Sequence, residues 1–317
     1  GLAPLPDNAF TRGKCGYKIL QYQSVGVPPV ASKVGYNQEI IAHGFTGLLV
    51  DENLSWSQAV ELLLFDQKMY QTIIDDHFPM NMEISFVEGN RRQTLFYEKV
   101  LWTVDGVQKG LRYGENPGQE AALYRLVNGN LMLGETETIR PGNYLASDIE
   151  LLQSGKHPGK TNLTDADNAL NILRYLDARP AAAIMKHNNP SGVALADTLV
   201  DAYLRADLAD HVAAFGGCVA LNRPVDRPTA EAIASRYAEV VVAPEYEQGA
   251  VELLAARPNL RIMRVGDMAR LASYAAERFV DFKSLIDGGV IAQLSYVPTT
   301  RTAADLRPAE TVHRGQT

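Results

Sequence analysis

The sequence is poor in cysteine and has no long hydrophobic run, and both scarcities limit the classes of protein to which it can belong. Its 317 residues include two cysteines, Cys15 and Cys218, too few for a disulfide framework or a cysteine-rich zinc site. No stretch approaches the roughly 20 consecutive apolar residues of a membrane helix, and the first six residues do not resemble a signal peptide. We therefore expect a cytoplasmic protein that does not enter a membrane.

An excess of positive charge is also missing. The chain has 30 Lys and Arg against 37 Asp and Glu, a formal net charge of −7 at pH 7, so it lacks the broad positive field that attracts a polyanion. Nucleic acid is therefore not expected as a partner. Apolar side chains make up 46% of the sequence, enough for a full core, and the length fits two globular units better than one.

The expected boundary between the two units lies near residue 80, after a stretch in which polar and helix-breaking residues accumulate. Before it, residues 27–32 and 47–50 predict short strands, and apolar residues at helical spacing predict a surface helix over 55–70. After it, strands are predicted over 181–185 and 240–243, and helices over 165–176 and 198–208. We expect the first of these helices to begin at Asp165 or Asp167. Alternating strands and helices indicate an α/β fold.

Residues 1–70, which include the run GVPPVASKVGYNQEIIAHGFTGLLVDE, resemble the C-terminal nucleotide-sugar domain of retaining glycosyltransferases with two facing Rossmann-like domains. The resemblance implies a partial Rossmann-like segment over residues 1–80. In that family a helical glutamate holds the ribose of the donor. Gln21 stands at that position here, and the upstream Lys/Arg pair and the acceptor domain are missing from the sequence. We therefore expect a glycosyltransferase-like fragment without glycosyl transfer.

Residues 109–126, KGLRYGENPGQEAALYRL, form the first block whose side chains suit ligand binding. The guanidinium of Arg112 matches a phosphate with two parallel hydrogen bonds, and Tyr113 adds a hydroxyl and a flat ring. Residues 114–118 suit a tight turn with exposed backbone donors. An ordinary turn that binds nothing is the alternative interpretation.

Residues 183–194, AIMKHNNPSGVA, place polar side chains directly after an apolar strand. Pro190 is expected to end that strand, and ligands bind at the carboxyl ends of strands in open α/β sheets. Neighbouring strand residues face opposite ways, so Lys186 and His187 can reach one substrate only if the backbone leaves the strand there. We expect residues 189–192 to provide that departure. A histidine alone would more often be an ordinary surface or core residue.

Further blocks follow in order: NLTDADNAL at 162–170, FGGCVALNRPVD at 215–226, EVVVAP at 239–244, and DFK with GGVIAQ at 281–293. The glycines Gly216 and Gly217 either allow a ligand to approach the backbone closely or form a core turn.

Together, these ordered blocks resemble the signatures of 5-aminoimidazole-4-carboxamide ribonucleotide (AICAR) transformylases, among them LRYGxNPHQ, KHxNPCGVA, NxxDAxAAL and FGGIVAxNRxVD. Two residues depart from the pattern: Gly118 replaces a histidine and Ser191 a cysteine. The resemblance implies a cytidine-deaminase-like three-layer α/β domain over residues 81–317, corresponding to the N-terminal half of the transformylase.

The resemblance also implies formyl transfer from 10-formyltetrahydrofolate, the co-substrate, to the 5-amino group of AICAR. That amine is a poor nucleophile, so His187 would act as general base and Lys186 would stabilise the oxyanion. The implied substrate-binding residues are Arg112, Tyr113, Asn162, Asn189, Ser191, Phe215, Gly216, Gly217 and Glu239.

The family implies a homodimer, or a partner that supplies the second deaminase-like half missing from the sequence. Ring closure to inosine monophosphate is not expected, because the upstream domain responsible for it is missing. No catalytic metal is expected either, since the HxE and PCxxC spacing of zinc deaminases does not occur. Two alternatives to the formyltransferase are a nucleotide-binding subunit that needs a partner and a glycosyltransferase based on residues 1–70.

Overall fold

A computed structural model of the chain describes residues 2–13, 16–24, 27–41, 43–44, 46–66, 80–104, 106–153, 155–298 and 305. Within them the α-helices are α1 Ala9–Arg12, α2 Tyr17–Ser24, α3 Asn37–Ile40, α4 Trp56–Phe65, α5 Lys160–Leu173, α6 Leu199–Ala209, α7 Arg227–Ala234 and α8 Ala250–Ala255, with 3-10 helices at Ala146–Asp148 and Gly266–Ala275. None of the helices in these ranges is both long and apolar enough to cross a membrane.

The strands in the same ranges are β1 Leu2–Ala3, β2 Val30–Ser32, β3 Leu48–Val50, β4 Asn81–Glu88, β5 Arg91–Lys99, β6 Trp102–Val104, β7 Val107–Lys109, β8 Tyr124–Asn128, β9 Leu131–Leu133, β10 Thr136–Ile139, β11 Glu150–Gln153, β12 Ala181–Lys186, β13 Asn189–Leu195, β14 Gly217–Leu221, β15 Ala238–Ala243, β16 Arg261–Arg264, β17 Val280–Ser284 and β18 Val290–Leu294.

The N-terminal segment is a small α/β unit in which β1, β2 and β3 form a parallel sheet. Its two strands predicted from the sequence are present but shorter. The predicted surface helix is α4, which begins after Ser55; the Ser55 hydroxyl accepts from Gln58 N–H, and the Gln58 side chain accepts from Ser55 N–H, a capping box. Residues 67–79, which hold the predicted end of this helix and precede the predicted boundary, lie outside the described residues.

A three-stranded antiparallel sheet, in the order β4-β5-β8, follows from residue 81 onward. It has its own small apolar core, formed by Leu95, Leu126, Leu131 and Val280. No strands or helices were predicted from the sequence in this region. Its strands carry exposed polar and charged residues between the few buried ones, which leaves only a weak apolar pattern.

The largest sheet is mixed and six-stranded, in the order β11-β16-β15-β14-β12-β13. Strands β14, β15 and β16 are parallel, whereas β11, β12 and β13 each pair antiparallel with a neighbour. Helix α5 packs on one face, and α6, α7 and α8 pack on the other. The fold is thus mixed α/β, and strand β12 contributes alternate residues to the two cores, Ile184 to one and Met185 to the other.

One predicted helix start was wrong. Helix α5 begins at Lys160, not at Asp165 or Asp167, and it ends at Leu173 rather than at residue 176. Gly159 occupies the N-cap position, and its N–H donates to Asn162 Oδ1 at 3.0 Å. The start was missed because a glycine cap carries no side-chain signal, while an aspartate inside the helix resembles a cap.

The predicted break before Pro190 was also wrong. Pro190 lies within β13, opposite Met185 at an irregularity in the pairing of β12 with β13. Because β13 is the last strand of the sheet, a proline there removes no hydrogen bond to a further strand. The backbone instead leaves β12 through a two-residue turn, His187–Asn188, and returns at once as an antiparallel strand.

Candidate active site

The turn that follows β12 places His187. Lys186 pairs with Asn189, so only His187 and Asn188 connect the two strands. Both have positive φ, 52° and 67° respectively, as the twist of a tight two-residue hairpin requires. Histidine and asparagine are among the few non-glycine residues that occur in this region. The backbone therefore leaves the strand directly after Lys186, through His187 and Asn188 and not through residues 189–192 as predicted.

Asp165 holds this turn from helix α5. The backbone N–H of His187 donates to Asp165 Oδ2 at 3.3 Å, and that of Asn188 donates to Oδ1 at 2.5 Å. Asp165 is only 5% exposed. Burial raises the pKa of its carboxyl, and the two backbone hydrogen bonds act against that rise. From the sequence, Asp165 was predicted only as a possible helix start, and its contact with the turn was not predicted.

Lys186 lies on the other side of β12 from Met185. Its Nζ donates to the carbonyl oxygen of Phe215 at 2.6 Å, which leaves two of the three ammonium donors for a ligand. The Phe215 ring packs against Tyr237 with ring centroids 4.8 Å apart. Gly216 has a φ of +73° and donates its N–H to the Tyr237 carbonyl. The predicted residues Lys186, Phe215 and Gly216 are therefore neighbours.

Arg112 and Tyr113 are attached to the start of α5 through their backbone. Arg112 N–H donates to Pro158 O, and Lys160 N–H donates to Tyr113 O, both at 2.9 Å. The Arg112 guanidinium lies 4.9 Å from the centroid of the Tyr113 ring. The Tyr113 ring lies close to Gly159: a Cβ added to Gly159 would lie 2.8 Å from Tyr113 Cε2. The glycine thus makes room for the aromatic residue.

Glu239, on β15, contacts the side chains of Asn162, on α5, and Arg261, on β16. Asn162 Nδ2 lies 3.5 Å from Glu239 Oε2, and Arg261 Nη1 lies 3.4 Å from the same oxygen. A Cβ added to Gly216 would lie 3.8 Å from Glu239 Oε1, so Gly216 lies next to this carboxylate. The Arg261 side chain is only 5% exposed and was not predicted, because its position within an ordinary strand gave no signal.

The first motif is also coupled electrostatically to this region. Lys160 Nζ lies 3.0 Å from Glu115 Oε2, and this hydrogen bond lowers the pKa of the Glu115 carboxyl. The charges of Lys283 and His187 lower that pKa by smaller amounts. The block at 109–126 is therefore joined to the start of α5 by this side-chain pair as well as by the backbone.

Three predicted site residues have structural contacts of their own. Ser191 Oγ donates to Ile184 O at 3.2 Å, and Asn189 Nδ2 donates to His187 O at 3.0 Å, so both side chains stabilise the hairpin. A Cβ added to Gly217 would lie 2.7 Å from Met185 O. The close approach at Gly217 is therefore to the neighbouring strand, as the core-turn interpretation of the glycine pair allows.

A cleft of about 460 Å³ opens beside Lys186 and Phe215 on the face of the sheet that carries α6 and α7. Its other polar and aromatic lining residues are Tyr203, Asp207, His211, Arg236 and Tyr237. Arg236 Nε lies 3.5 Å from Asp207 Oδ2. The cleft is not lined by Arg112, Tyr113, Asn162 or Glu239. In the described ranges no group of three or more His, Cys, Asp or Glu residues could hold a metal ion.

Comparison with known proteins gives two family matches. The family described as "AICARFT/IMPCHase bienzyme" matches residues 65–311, and "Glycosyl transferases group 1" matches residues 11–76. The resemblances stated for the two parts of the chain are therefore confirmed. The two matches overlap over residues 65–76, shortly before the predicted boundary.

Similar curated proteins carry the name "Bifunctional purine biosynthesis protein PurH". That of Caldicellulosiruptor saccharolyticus is 33% identical over 299 residues, 92% of this chain and 54% of the relative. That of Thermoanaerobacter sp. is 35% identical over 71% of this chain and 38% of the relative, and that of Synechocystis sp. is 44% identical over 51% and 29%. The chain spans about half the length, or less, of these relatives. With a family match over most of its residues, the chain belongs to the AICARFT/IMPCHase bienzyme family.

Proposed function

We propose that the protein transfers a formyl group from 10-formyltetrahydrofolate to the 5-amino group of AICAR. The observation that carries the proposal is the position of Lys186 and His187. They are consecutive residues at one hairpin, and Lys186 lines the cleft. Helix α5, to whose start Arg112 and Tyr113 are bound, contacts the same turn through Asp165. A transfer between two substrates requires acid–base groups at a place that both substrates can reach.

AICAR would occupy the subsite around the start of α5. The Arg112 guanidinium suits its phosphate, and Tyr113 supplies a flat ring. Glu239 and Asn162, held together at one oxygen, provide an acceptor and a donor for polar groups of the nucleotide. The family resemblance assigns the remaining contacts to Asn189, Ser191, Phe215, Gly216 and Gly217.

The 10-formyltetrahydrofolate would occupy the cleft beside Lys186. The cleft has the size of a small-molecule pocket, and its aromatic residues Phe215, Tyr203 and Tyr237 suit a flat ring system. Lys186 borders this cleft and donates one hydrogen bond to Phe215 O. Its remaining ammonium donors would face the formyl carbonyl.

The chemical step follows from these positions. The AICAR amine nitrogen attacks the formyl carbon, and the carbonyl oxygen takes up the developing negative charge, which the Lys186 ammonium stabilises. His187 accepts the proton released by the amine. Collapse of the tetrahedral intermediate breaks the bond to the folate nitrogen, which takes a proton, and gives formyl-AICAR and tetrahydrofolate.

We further propose the cytidine-deaminase-like fold for residues 81–317, with residues 1–80 as a separate glycosyltransferase-like fragment. The protein would act in the cytoplasm as a homodimer. The alternative is a nucleotide-binding subunit that binds AICAR and needs a partner for turnover.

The test is formyl transfer by the purified chain, followed by the change in folate absorbance, together with AICAR binding by calorimetry. His187→Gln should lower turnover by about 10²- to 10⁴-fold, the usual contribution of a general base, while AICAR still binds. Arg112→Met should weaken AICAR binding. AICAR binding without turnover in the wild type would favour the nucleotide-binding subunit, and no AICAR binding at all would refute both proposals.

A further inference from the structure

The His187–Asn188 turn is a strained element next to the reacting groups. Two successive residues with side chains adopt positive φ, a conformation that is unfavourable for L-amino acids because Cβ approaches the carbonyl oxygen. Such conformations persist only where the surrounding structure enforces them. Neither Asn189 nor Ser191 can do so alone, since both lie in the hairpin itself.

Asp165 is the group outside the hairpin that meets this requirement. Its two carboxylate oxygens accept from two successive backbone N–H groups, one oxygen for each. The position of Asp165 is itself fixed, because α5 packs on the sheet through Ala166, Ala169 and Leu170, all almost fully buried. Asn168 adds a side-chain contact from the same helix, with its Nδ2 3.1 Å from Asn188 Oδ1.

We propose that Asp165 is a positioning residue for His187, which it holds by fixing the left-handed turn at His187 and Asn188. The carboxylate touches no substrate in this role. It acts through the backbone, so that the imidazole starts from a defined point at the end of β12. The reaction-related part of this inference rests on the proposed formyl transfer, whereas the structural part does not.

An isosteric change isolates the role. In Asp165→Asn one side-chain oxygen remains as an acceptor, but an amide NH₂ group faces the second backbone N–H, and two donors repel. The turn should then open more often, and hydrogen exchange of a peptide covering residues 186–190 should become at least about tenfold faster. A catalytic group misplaced by about 1 Å can cost on the order of 10²-fold in rate, so turnover should fall by about that factor while AICAR affinity changes less than about threefold.

The second variant tests the mechanism by rescue. Glycine adopts positive φ without steric cost, so Asn188→Gly should recover a large part of the turnover lost in Asp165→Ala. A general loss of stability in α5 would not be repaired by a glycine in the turn. Asp226→Asn is the matched control, because Asp226 also accepts a backbone N–H, that of Thr229 at 2.9 Å, but at the start of α7. It should leave the exchange of the hairpin and the turnover unchanged.

The proposal is overturned if Asp165→Asn leaves the exchange of residues 186–190 unchanged, or if Asn188→Gly gives no recovery. If Asp226→Asn loses as much turnover as Asp165→Asn, the loss comes from lower stability of the fold and not from the turn, which also overturns the proposal. If the wild-type chain does not transfer formyl groups, the proposed function fails, and the exchange measurement still decides whether Asp165 holds the turn.

Discussion

Gly217 and Gly118 are two glycines of recognised motifs with opposite steric surroundings. A Cβ at Gly217 would lie 2.7 Å from Met185 O and 3.0 Å from Ala214 O, both backbone atoms, whereas nothing lies within 4 Å of a Cβ at Gly118. Gly217→Ala should therefore lower the free energy of unfolding by about 1–3 kcal/mol, the usual cost of overpacking. Gly118→Ala should change it by less than about 0.5 kcal/mol. Urea unfolding measures both, and equal effects would contradict the steric explanation.

Tyr203 makes the stability of the fold sensitive to alkaline pH. The residue is 2% exposed, and burial, followed by the charge of Asp207, raises the pKa of its phenol to about 12 from a reference of 10.0. The folded state thus keeps a proton that the unfolded state releases. The stability contributed by the neutral phenol is complete below pH 10 and is lost as the pH rises from 10 to about 12.

The variant Tyr203→Phe cannot ionise and should lose less stability over this range. The free energy of unfolding, measured by urea unfolding at several pH values, falls with pH with a slope that should differ between the variant and the wild type by at most about 1.4 kcal/mol per pH unit. Tyr296→Phe is the control, because this side chain is 74% exposed and its ring remains in water in both states. Identical slopes for the wild type and Tyr203→Phe would contradict the prediction.

At the scale of elements, the sequence predicted strands and helices well where one apolar pattern dominates. Strands β12 and β15 and helix α6 lie within two residues of their predicted bounds, because continuous apolar runs and a Thr198 cap mark them clearly. The polar sheet β4-β5-β8 and strand β13 could not be predicted in this way. Strand β13 contains a proline that only an edge position tolerates, and an edge position is a property of the assembled sheet.

Some residues of the candidate site could likewise be predicted from the sequence, and others could not. Lys186, His187 and Arg112 could be named from motifs, since their side chains suit recognisable chemistry. The partnership of Glu239 with buried Arg261 and the contact of Asp165 with the turn depend on residues far apart in sequence. A carboxylate within a helix looks the same in sequence whether it faces water or receives the backbone of another element. These contacts therefore required the structure.

The contact between Tyr113 and the start of α5 gives a prediction for nucleotide binding. An alanine Cβ at position 159 would lie 2.8 Å from Tyr113 Cε2, so the ring must move away from its place at the end of the helix. Gly159→Ala should weaken AICAR binding on the order of tenfold, equivalent to about 1.4 kcal/mol, as measured by calorimetry. Gly266→Ala is the control, since nothing lies within 4 Å of its added Cβ. Unchanged affinity in Gly159→Ala would exclude Tyr113 from the binding site in this position.

At the scale of the whole molecule, the two family matches correspond to separate sheets. The parallel sheet β1-β2-β3 shares no strand pairing with another sheet in the described part of the chain. Its two small apolar clusters contain residues from 3 to 63 and none from later in the chain. Every proposed site residue lies at position 112 or beyond. On these grounds we propose two units that carry independent cores.

Removal of residues 1–79 should therefore leave the proposed site intact. The remaining chain, 80–317, keeps the six-stranded sheet and both of its cores, so it should bind AICAR with an affinity within about threefold of that of the full chain. Thermal unfolding of the full chain should show a transition that the shortened protein lacks, because the small sheet unfolds on its own. Glu61→Gln in the full chain, a change at an exposed residue of α4, is the control and should leave both measurements unchanged. A shortened protein that aggregates, or that binds AICAR more than tenfold more weakly, would show that the N-terminal segment forms part of one structural unit with the rest.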